Sequence, residues 1–337
     1  MLNKLYEKVR QTLKENWKFI FSLIILFLVF KIELPFVIYT PGGSIDLNKR
    51  IEVENSTSVD GSFSMAYVSM VRGNVPFLLM SFIVPNWDIV SKDRLTYDKS
   101  ESVADVLERD KFYLQEANDN ATFVAYRYAN KEIMVNSSNK VIVYLSKEAD
   151  SDLKLFDEIV SVDSILYTDV EGLRAYIQTK NINDILVFKI IRNNKEIDVE
   201  VSVYEEKDSL MVGISTLVLY DYETEPDLEI KNKSSESGPS GGLMTALSIY
   251  NYLIEEDITY GKSIIGTGTI AEDGTVGIIG GVKYKLLGAE KKKADLFICP
   301  KENLEEALEV KRKEKLDIEI IGVSTFEEAL NELAKLK

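Results

Sequence analysis

A glycine-flanked serine and a lysine that follows a Gly-Gly pair are the residues best suited to chemistry. Ser240 lies in GPSGG, residues 238–242, at the predicted start of a helix. A helix N-terminus offers free N–H groups and a partial positive charge, which together can hold an oxyanion. Serine is also a favoured helix cap, so this segment taken alone is explained without catalysis.

The second candidate segment is GGVKYK, residues 280–285, which contains Lys283 and Lys285. A serine hydroxyl is a poor nucleophile unless a base takes its proton. The chain contains no histidine, so a desolvated lysine is the best candidate base. Both lysines can equally be surface residues of a helix, and lysine alone does not establish the chemistry.

Composition excludes several other kinds of site. With no histidine and one cysteine, Cys299, the 337-residue chain cannot form a His-ligated metal site, an intrachain disulfide or a Cys-rich cluster. The net charge of −15 disfavours nucleic-acid binding. Residues 261–263 (GKS) lack the earlier glycine of a Walker A motif, so no nucleotide site is predicted. We therefore expect no metal, nucleotide or other cofactor.

The N-terminal part predicts a membrane anchor. Residues 1–16 form a basic tail expected in the cytoplasm, and residues 17–39 form the predicted transmembrane signal anchor. Its apolar run, Phe19–Phe30, covers about 18 Å, which is short for a bilayer core of about 30 Å. A cleaved signal peptide and a buried helix are the alternatives. Residues 31–41 lack the small residues that cleavage requires, which favours an anchor.

Residues 40–130 are predicted to be a connecting region of strands and helix. Alternating and helical spacings of apolar residues mark its elements. They are a turn at 40–43, strands within 50–72, a buried apolar segment at 75–84, and a helix over 100–130 capped by Ser100 or Ser102.

Residues 131–205 are predicted to form a small α/β module. Its predicted elements are a strand at 141–145, a turn and strand within 155–163, a helix capped by Asp169, and a hairpin turning at Asn193-Asn194. This order, with the motif L-x-x-F-D-x-I-x-x-V-D from Leu153, resembles bacterial PDZ domains. That resemblance implies binding of an extended peptide by strand addition. Any compact spacer domain is the alternative.

Residues 206–337 are predicted to be a mixed α/β proteolytic domain. GPSGG, GTGTIAEDGTVGIIGG, GGVKYKLLGA, ADLFICPKEN and STFEEAL follow one another in this order. The series resembles the proteolytic domain of Lon proteases over about residues 207–337. The whole layout resembles the membrane-anchored, ATP-independent Lon-like PDZ proteases of Gram-positive bacteria. The fold class is thus α/β (α+β), with an N-terminal transmembrane helix before the two folded parts.

The resemblance implies a Ser-Lys dyad. The family's nucleophile falls on Ser240 and its base on Lys285, with Lys283 outside the site. The family threonine that hydrogen-bonds the lysine falls on Thr267. Lon enzymes often have an aspartate before the Gly-Pro-Ser, and this chain has Ser237 next to Glu236. The supporting residues around the nucleophile are Gly238, Pro239 and Gly241.

The expected function is that of an ATP-independent serine endopeptidase in the cell membrane. It would be a single-pass protein with a cytoplasmic N-terminus, and it would cleave proteins or peptides outside the cytoplasm. The lipid bilayer is an expected partner, which would be contacted through residues 17–39. Nucleic acid and nucleotides are not expected partners. An oligomer is possible. The alternative is a catalytically inactive, membrane-tethered adaptor. The presence of both Ser240 and Lys285 favours the enzyme.

Overall fold

The computed structural model describes residues 2–56, 58–96, 101–167 and 170–337, apart from the side chains of residues 2–5 and 9. The helices of this part are α1 (Leu2–Glu15), α2 (Trp17–Lys31), α3 (Val75–Ser81), α4 (Val103–Tyr128), α5 (Val170–Ile177), α6 (Gly242–Leu253), α7 (Val282–Lys291), α8 (Leu304–Glu314) and α9 (Phe326–Ala334). The strands are β1 (Phe36–Asp46), β2 (Ile51–Val53), β3 (Ser62–Arg72), β4 (Asp88–Ser91), β5 (Glu132–Leu145), β6 (Glu158–Val162), β7 (Ile185–Arg192), β8 (Lys195–Ser202), β9 (Tyr204–Glu206), β10 (Ser209–Met211), β11 (Ile214–Glu225), β12 (Leu228–Ile230), β13 (Ser263–Gly266), β14 (Thr269–Ile270), β15 (Val276–Gly277), β16 (Leu296–Pro300) and β17 (Glu319–Val323).

The largest sheet of the described chain is mixed and runs in the order β17-β16-β13-β3-β1-β4. β17, β16, β13 and β3 are parallel, whereas β1 is antiparallel to both β3 and β4. Alternate residues of β16 face opposite sides of the sheet. Leu296 and Ile298 pack in the core with α4, α6 and α9, while Phe297 and Cys299 pack in the core with α7 and α8. Helices therefore cover both faces of the sheet.

Residues 40–130 are part of this three-layer unit, which differs from the connecting region that we predicted. β3 pairs directly with β13, with Ser62 opposite Ser263, and α4 packs against α6. These contacts join residues far apart in sequence, so local patterns do not reveal them. The small α/β module that was predicted to resemble a PDZ domain, called the PDZ-like module below, therefore lies in the chain between α4 and residues 228–337, which complete this three-layer unit.

The PDZ-like module is built on a sheet with the order β11-β5-β6-β7-β8. α5 packs its buried Leu173 and Ile177 onto this sheet. Its β7–β8 hairpin turns through Asn193 and Asn194, whose φ angles of 51° and 60° fit the tight turn predicted there. The module extends beyond residue 205 because β11 pairs along β5. The predicted cap of α5, Asp169, lies outside the described residues.

The predicted anchor over residues 17–39 is not one continuous helix. α2 ends at Lys31, and Phe36–Tyr39 belong to β1, where their backbone pairs with β3 and β4. Pro35 lies between the two elements and has no N–H to continue a helix. No residue of α2 is buried. Across the described ranges, no helix combines the length and the apolar character needed to cross a membrane.

Two further local predictions differ from the structure. The apolar segment 75–84 lies largely at the surface as α3 and the residues after it, so its assignment to the core was wrong. Residues 40–43 are inside β1, where a register shift between Pro41 and Ser44 replaces the predicted turn. The long helix over 100–130 is confirmed as α4. Ser102 caps it in a capping box with Asp105, and Ser100 lies outside the described residues.

Candidate active site

Ser240 lies in a tight turn directly before α6. The N-cap of α6 is Gly241, and no side chain caps this helix, so capping does not explain the serine. Gly238 has a φ of +88°, a left-handed conformation that favours glycine. Its N–H donates to the carbonyl of Asp110 in α4 at 2.7 Å. The N–H of Gly242 donates to the Pro239 carbonyl at 3.1 Å. The turn is therefore held from both sides of Ser240.

Thr267 connects the serine segment to the buried lysine. Its Oγ1 donates to the carbonyl oxygen of Ser240 at 2.9 Å, and the N–H of Gly268 donates to the same oxygen at 2.8 Å. Lys285 Nζ donates to Thr267 Oγ1 at 3.0 Å. The hydroxyl proton of Thr267 is donated to the Ser240 carbonyl. A lone pair of Thr267 Oγ1 is therefore free to accept the hydrogen bond from Lys285. The structure thus brings Ser240, Thr267 and Lys285 together at one point.

Lys285 projects from the first turns of α7 into the protein interior. α7 begins after Gly281, whose φ of +71° lets the chain turn sharply into the helix. The Lys285 residue is only 4% exposed. Burial lowers its pKa from 10.5 to about 7, because an apolar environment disfavours the ammonium form. A substantial fraction of Lys285 is therefore neutral near pH 7, and a neutral amine has a lone pair that can accept a proton.

Lys283 is directed to a different partner. Its Nζ forms an ion pair with Asp88 Oδ2 of β4 at 2.6 Å, and the Tyr284 hydroxyl donates to the same oxygen at 2.7 Å. Burial acts to raise the pKa of Asp88, but the hydrogen bonds from Lys283 and Tyr284 lower it overall. Sequence reasoning missed Asp88, since no local motif marks it.

A cleft of about 770 Å³ opens at Ser240 and follows β3, with Met65 and Tyr67 among its walls. The segment before Ser240 is fixed by an ion pair of 2.6 Å between Arg50 Nη2 and Glu236 Oε1. Glu236 Oε2 also accepts from the N–H of Lys233 at 2.9 Å. The glutamate next to Ser237 therefore anchors this loop, and its partner Arg50 was not predicted.

The C-terminal part of the chain was compared with known families. Residues 232–335 match the family model of the Lon protease (S16) C-terminal proteolytic domain. These residues form a Lon-type proteolytic domain. The matched range contains Ser240, Thr267 and Lys285. The family match and the local geometry thus concern the same place in the molecule.

Two curated relatives are similar to this chain over about the length of the Lon-type domain. The Lon protease of Clostridium beijerinckii is 37% identical over 99 residues, which is 29% of this chain and 12% of that protein. Lon protease 2 of Bacillus subtilis is 36% identical over 96 residues, which is 28% of this chain and 16% of that protein. The chain thus matches only a small share of each relative.

Solved structures similar to this chain include PDZ domains of SdrC-like proteins from Listeria monocytogenes and Listeria innocua. Their sequence identities are 16% and 23%, and their TM-scores are 0.23 and 0.20. The similarity covers 25% and 23% of this chain, and 93% and 92% of the two solved domains. The sheet order given above for residues 132–225 comes from the structure of this chain and does not use these neighbours.

Proposed function

We propose that this protein is a serine endopeptidase in which Ser240 is the nucleophile and Lys285 the base. The observation that carries the proposal is the hydrogen-bond network of Lys285, a buried lysine whose pKa is lowered to about 7. Lys285 donates to Thr267, and Thr267 donates to the carbonyl of Ser240. This arrangement lies within the Lon-type domain and beside a cleft that opens at Ser240.

In the proposed reaction, neutral Lys285 takes the proton from Ser240 Oγ while that oxygen attacks a peptide carbonyl. The tetrahedral intermediate collapses as the C–N bond breaks, and the Lys285 ammonium gives its proton to the leaving amine. Water then hydrolyses the acyl-enzyme, with Lys285 again accepting the proton. These are proton and acyl transfers among side chains, peptide and water, so we propose that they proceed without ATP or a metal ion.

The oxyanion of the intermediate needs donors that point toward the cleft. Within the described chain, the N–H groups of Gly242 and Leu243 donate to the carbonyls of Pro239 and Gly268, whereas no backbone acceptor takes those of Ser240 and Gly241. Their position at the start of α6 also adds the partial positive charge of a helix N-terminus. We therefore assign oxyanion stabilisation to the N–H groups of Ser240 and Gly241.

We further propose that α2 attaches the protein to a cell membrane, with residues 36–337 outside the cytoplasm. α2 contains large apolar side chains that are exposed around the helix. Such a surface is typical of elements that contact lipid. Lys8, Arg10 and Lys14 precede it, which favours retention of the N-terminus in the cytoplasm.

A serine-directed fluorophosphonate probe tests the dyad on the purified full chain. The wild-type protein should be labelled and should cleave an unfolded protein substrate, while Ser240→Ala should do neither and should melt at nearly the same temperature. Ser237→Ala is the matched control, because this exposed serine lies three residues away in the same loop. Full activity of Ser240→Ala would refute the dyad. A folded wild-type protein with no labelling and no cleavage would support the adaptor function.

A further inference from the structure

An uncharged apolar surface follows β3 and lies outside every core. Residues 75–87, VPFLLMSFIVPNW, contain no charged side chain in a chain that is 28% charged. Four of their apolar side chains are exposed: Leu79 by 59%, Met80 by 41%, Phe82 by 74% and Ile83 by 80%. We call these four residues the α3 patch. Its exposure in a strongly acidic protein indicates that another apolar phase covers it.

The position of the α3 patch points to lipid as that phase. α3 is in contact with α2, and the N–H of Leu34, just after α2, donates to the carbonyl of Gly73, just before the cap of α3, at 2.9 Å. The chain therefore leaves α2 and meets the folded domain beside α3. An apolar helix and an apolar surface turn are adjacent where the domain would meet a bilayer.

The apolar part of α2 is shorter than the hydrocarbon core of a bilayer, and the α3 patch can compensate for most of the difference. The apolar run of α2, Phe19–Phe30, lies between Lys18 and Lys31 and at 1.5 Å per residue covers about 18 Å of a hydrocarbon core of about 30 Å. Surface elements bury apolar side chains about 5–10 Å into the boundary between headgroups and acyl chains. The α3 patch can therefore supply most of the missing apolar depth, on the side of the folded domain.

The two tryptophans of the chain fit this arrangement. Trp17 begins α2, and Trp87 ends the uncharged segment, where its ring packs against Phe77 of α3 at 6.2 Å. Tryptophan is enriched at both boundaries of a membrane. Trp17 would thus mark the cytoplasmic boundary and Trp87 the opposite one.

We propose that the α3 patch inserts into the outer lipid interface and, together with α2, seats the catalytic domain against the membrane. This inference rests on the proposed membrane attachment of α2. It adds a second contact between protein and lipid, made by the catalytic unit itself. It also connects that contact to the active-site helix, because Asp88 directly follows Trp87 and pairs with Lys283 of α7.

The test uses the full chain in phosphatidylcholine–phosphatidylglycerol vesicles that contain lipids brominated near the headgroup. Trp17→Phe leaves Trp87 as the reporter, and Trp87→Phe leaves Trp17. Bromine quenches a tryptophan that lies within the lipid boundary. We expect quenching of both reporters. Adding Phe82→Ser and Ile83→Ser should reduce the quenching of Trp87 by about half or more, because the segment inserts less, and should leave that of Trp17 unchanged. Unchanged quenching of Trp87 would overturn the role of the α3 patch.

Ile165→Ser with Leu166→Ser is the matched control, since these residues of the PDZ-like module are also exposed, by 43% and 74%. It should change neither reporter. Unchanged hydrolysis of a short peptide in detergent shows that each variant is folded. Quenching of Trp17 without Trp87 would overturn the α3 patch and leave the attachment of α2 intact. Quenching of neither would refute both. A Trp87 emission shift that depends on protein concentration, without quenching, would assign the patch to a second copy and overturn the proposal.

Discussion

At the scale of single residues, the proposed reaction depends on burial of one amine, that of Lys285. Free lysine is almost fully protonated at neutral pH and cannot act as a base. Lys285 is enclosed by the interior of the domain and has Thr267 Oγ1 as a neutral hydrogen-bond partner. An apolar interior and a neutral hydroxyl do not stabilise the ammonium form of Lys285 as a carboxylate would. The sole cysteine, Cys299, is also buried, and burial raises the pKa of its thiol to about 12, so it does not compete as a nucleophile.

The pH profile of catalysis should therefore follow Lys285. We expect kcat/KM on a fluorogenic peptide to rise through about pH 7, as the amine loses its proton. Lys285→Arg should be inactive at every pH, because guanidinium stays charged. Lys283→Ala is the control from the same helix and should keep both the profile and most of the activity. An active Lys285→Ala together with an inactive Lys283→Ala would assign the base to the other lysine.

Lys285→Met should be inactive but more stable than the wild type. Lowering the lysine pKa from 10.5 to about 7 corresponds to about 5 kcal/mol of lost stability below pH 7. Between these two pH values the unfolded chain binds more protons than the folded one, so wild-type stability rises with pH across that window. The free energy of unfolding of Lys285→Met, measured in urea, should therefore exceed that of the wild type by less and less as the pH rises. An advantage that does not change with pH would contradict a buried, deprotonating lysine.

At the scale of structural elements, the turn that carries Ser240 is held by parts of the chain remote in sequence. α4 provides the carbonyl of Asp110 to Gly238, and Arg50, which follows β1, fixes Glu236 in the segment before Ser240. β4 provides Asp88 to the first turn of α7. The N-terminal strands and α4 therefore hold the turn that carries Ser240, and β4 also contacts the start of the helix that carries Lys285.

Breaking the Arg50–Glu236 pair should impair both stability and catalysis. Their side chains are 16% and 10% exposed, so Arg50→Met leaves a mostly buried carboxylate without its partner. Such losses cost about 3–5 kcal/mol, and joint replacement by apolar residues costs less. We expect the melting temperature to fall for Arg50→Met and to recover in part for Arg50→Met with Glu236→Met. Peptide hydrolysis should fall by about tenfold in both, because the turn loses its anchor.

Lys231→Met is the control for this pair. Lys231 contacts Glu52 at 2.6 Å on the exposed surface of the same segment. Solvent weakens such a pair, so neither the melting temperature nor the activity should change. Equal effects of Arg50→Met and Lys231→Met would show that the buried pair does not position the turn.

At the scale of the whole molecule, the PDZ-like module is an insertion whose two ends meet. Leu145, the last residue of β5, lies opposite Ile214, the first residue of β11. β11 then runs back along β5 as far as Glu225 and leads into the part of the chain that contains the candidate site. The outer part of the module can therefore be removed without separating these two strands.

Replacing residues 146–213 with an Asn-Gly turn should preserve the β5–β11 hairpin, since this turn suits a two-residue connection. Cleavage of a large protein substrate should fall more than hydrolysis of a short peptide, because remote binding energy is lost. The two kcat/KM values, measured with the melting temperature, decide the outcome. Equal losses on both substrates would assign the module a purely structural role.

The orientation of the molecule is predicted by its N-terminal charges. A reporter enzyme that is active only in the cytoplasm, fused after Lys337, should be silent in cells. The same reporter fused after Asn16 is the positive control and should be active, because residues 1–16 remain in the cytoplasm in the proposed topology. An active C-terminal fusion would place the catalytic domain in the cytoplasm and refute the orientation.

The sequence by itself identified the residues of the candidate site and the elements that carry them. GPSGG and GGVKYK fall at the starts of α6 and α7, and the absence of histidine directs attention to lysine. Local spacing also predicted α4 and the β7–β8 hairpin, because caps, turns and apolar periodicity act between near neighbours. The catalytic roles of Ser240, Lys285 and Thr267 remain predictions, and the structure places the three residues in one network.

Only the tertiary structure decided where the remaining parts belong. Arg50 and Glu236 are 186 residues apart in sequence, and Asp88 and Lys283 are 195 apart. The apolar segment 75–84 has the composition of a core but lies at the surface. A local pattern records how apolar a segment is and which secondary structure suits it. It does not record which distant strand or phase will cover that segment, because the contact depends on how the whole chain closes.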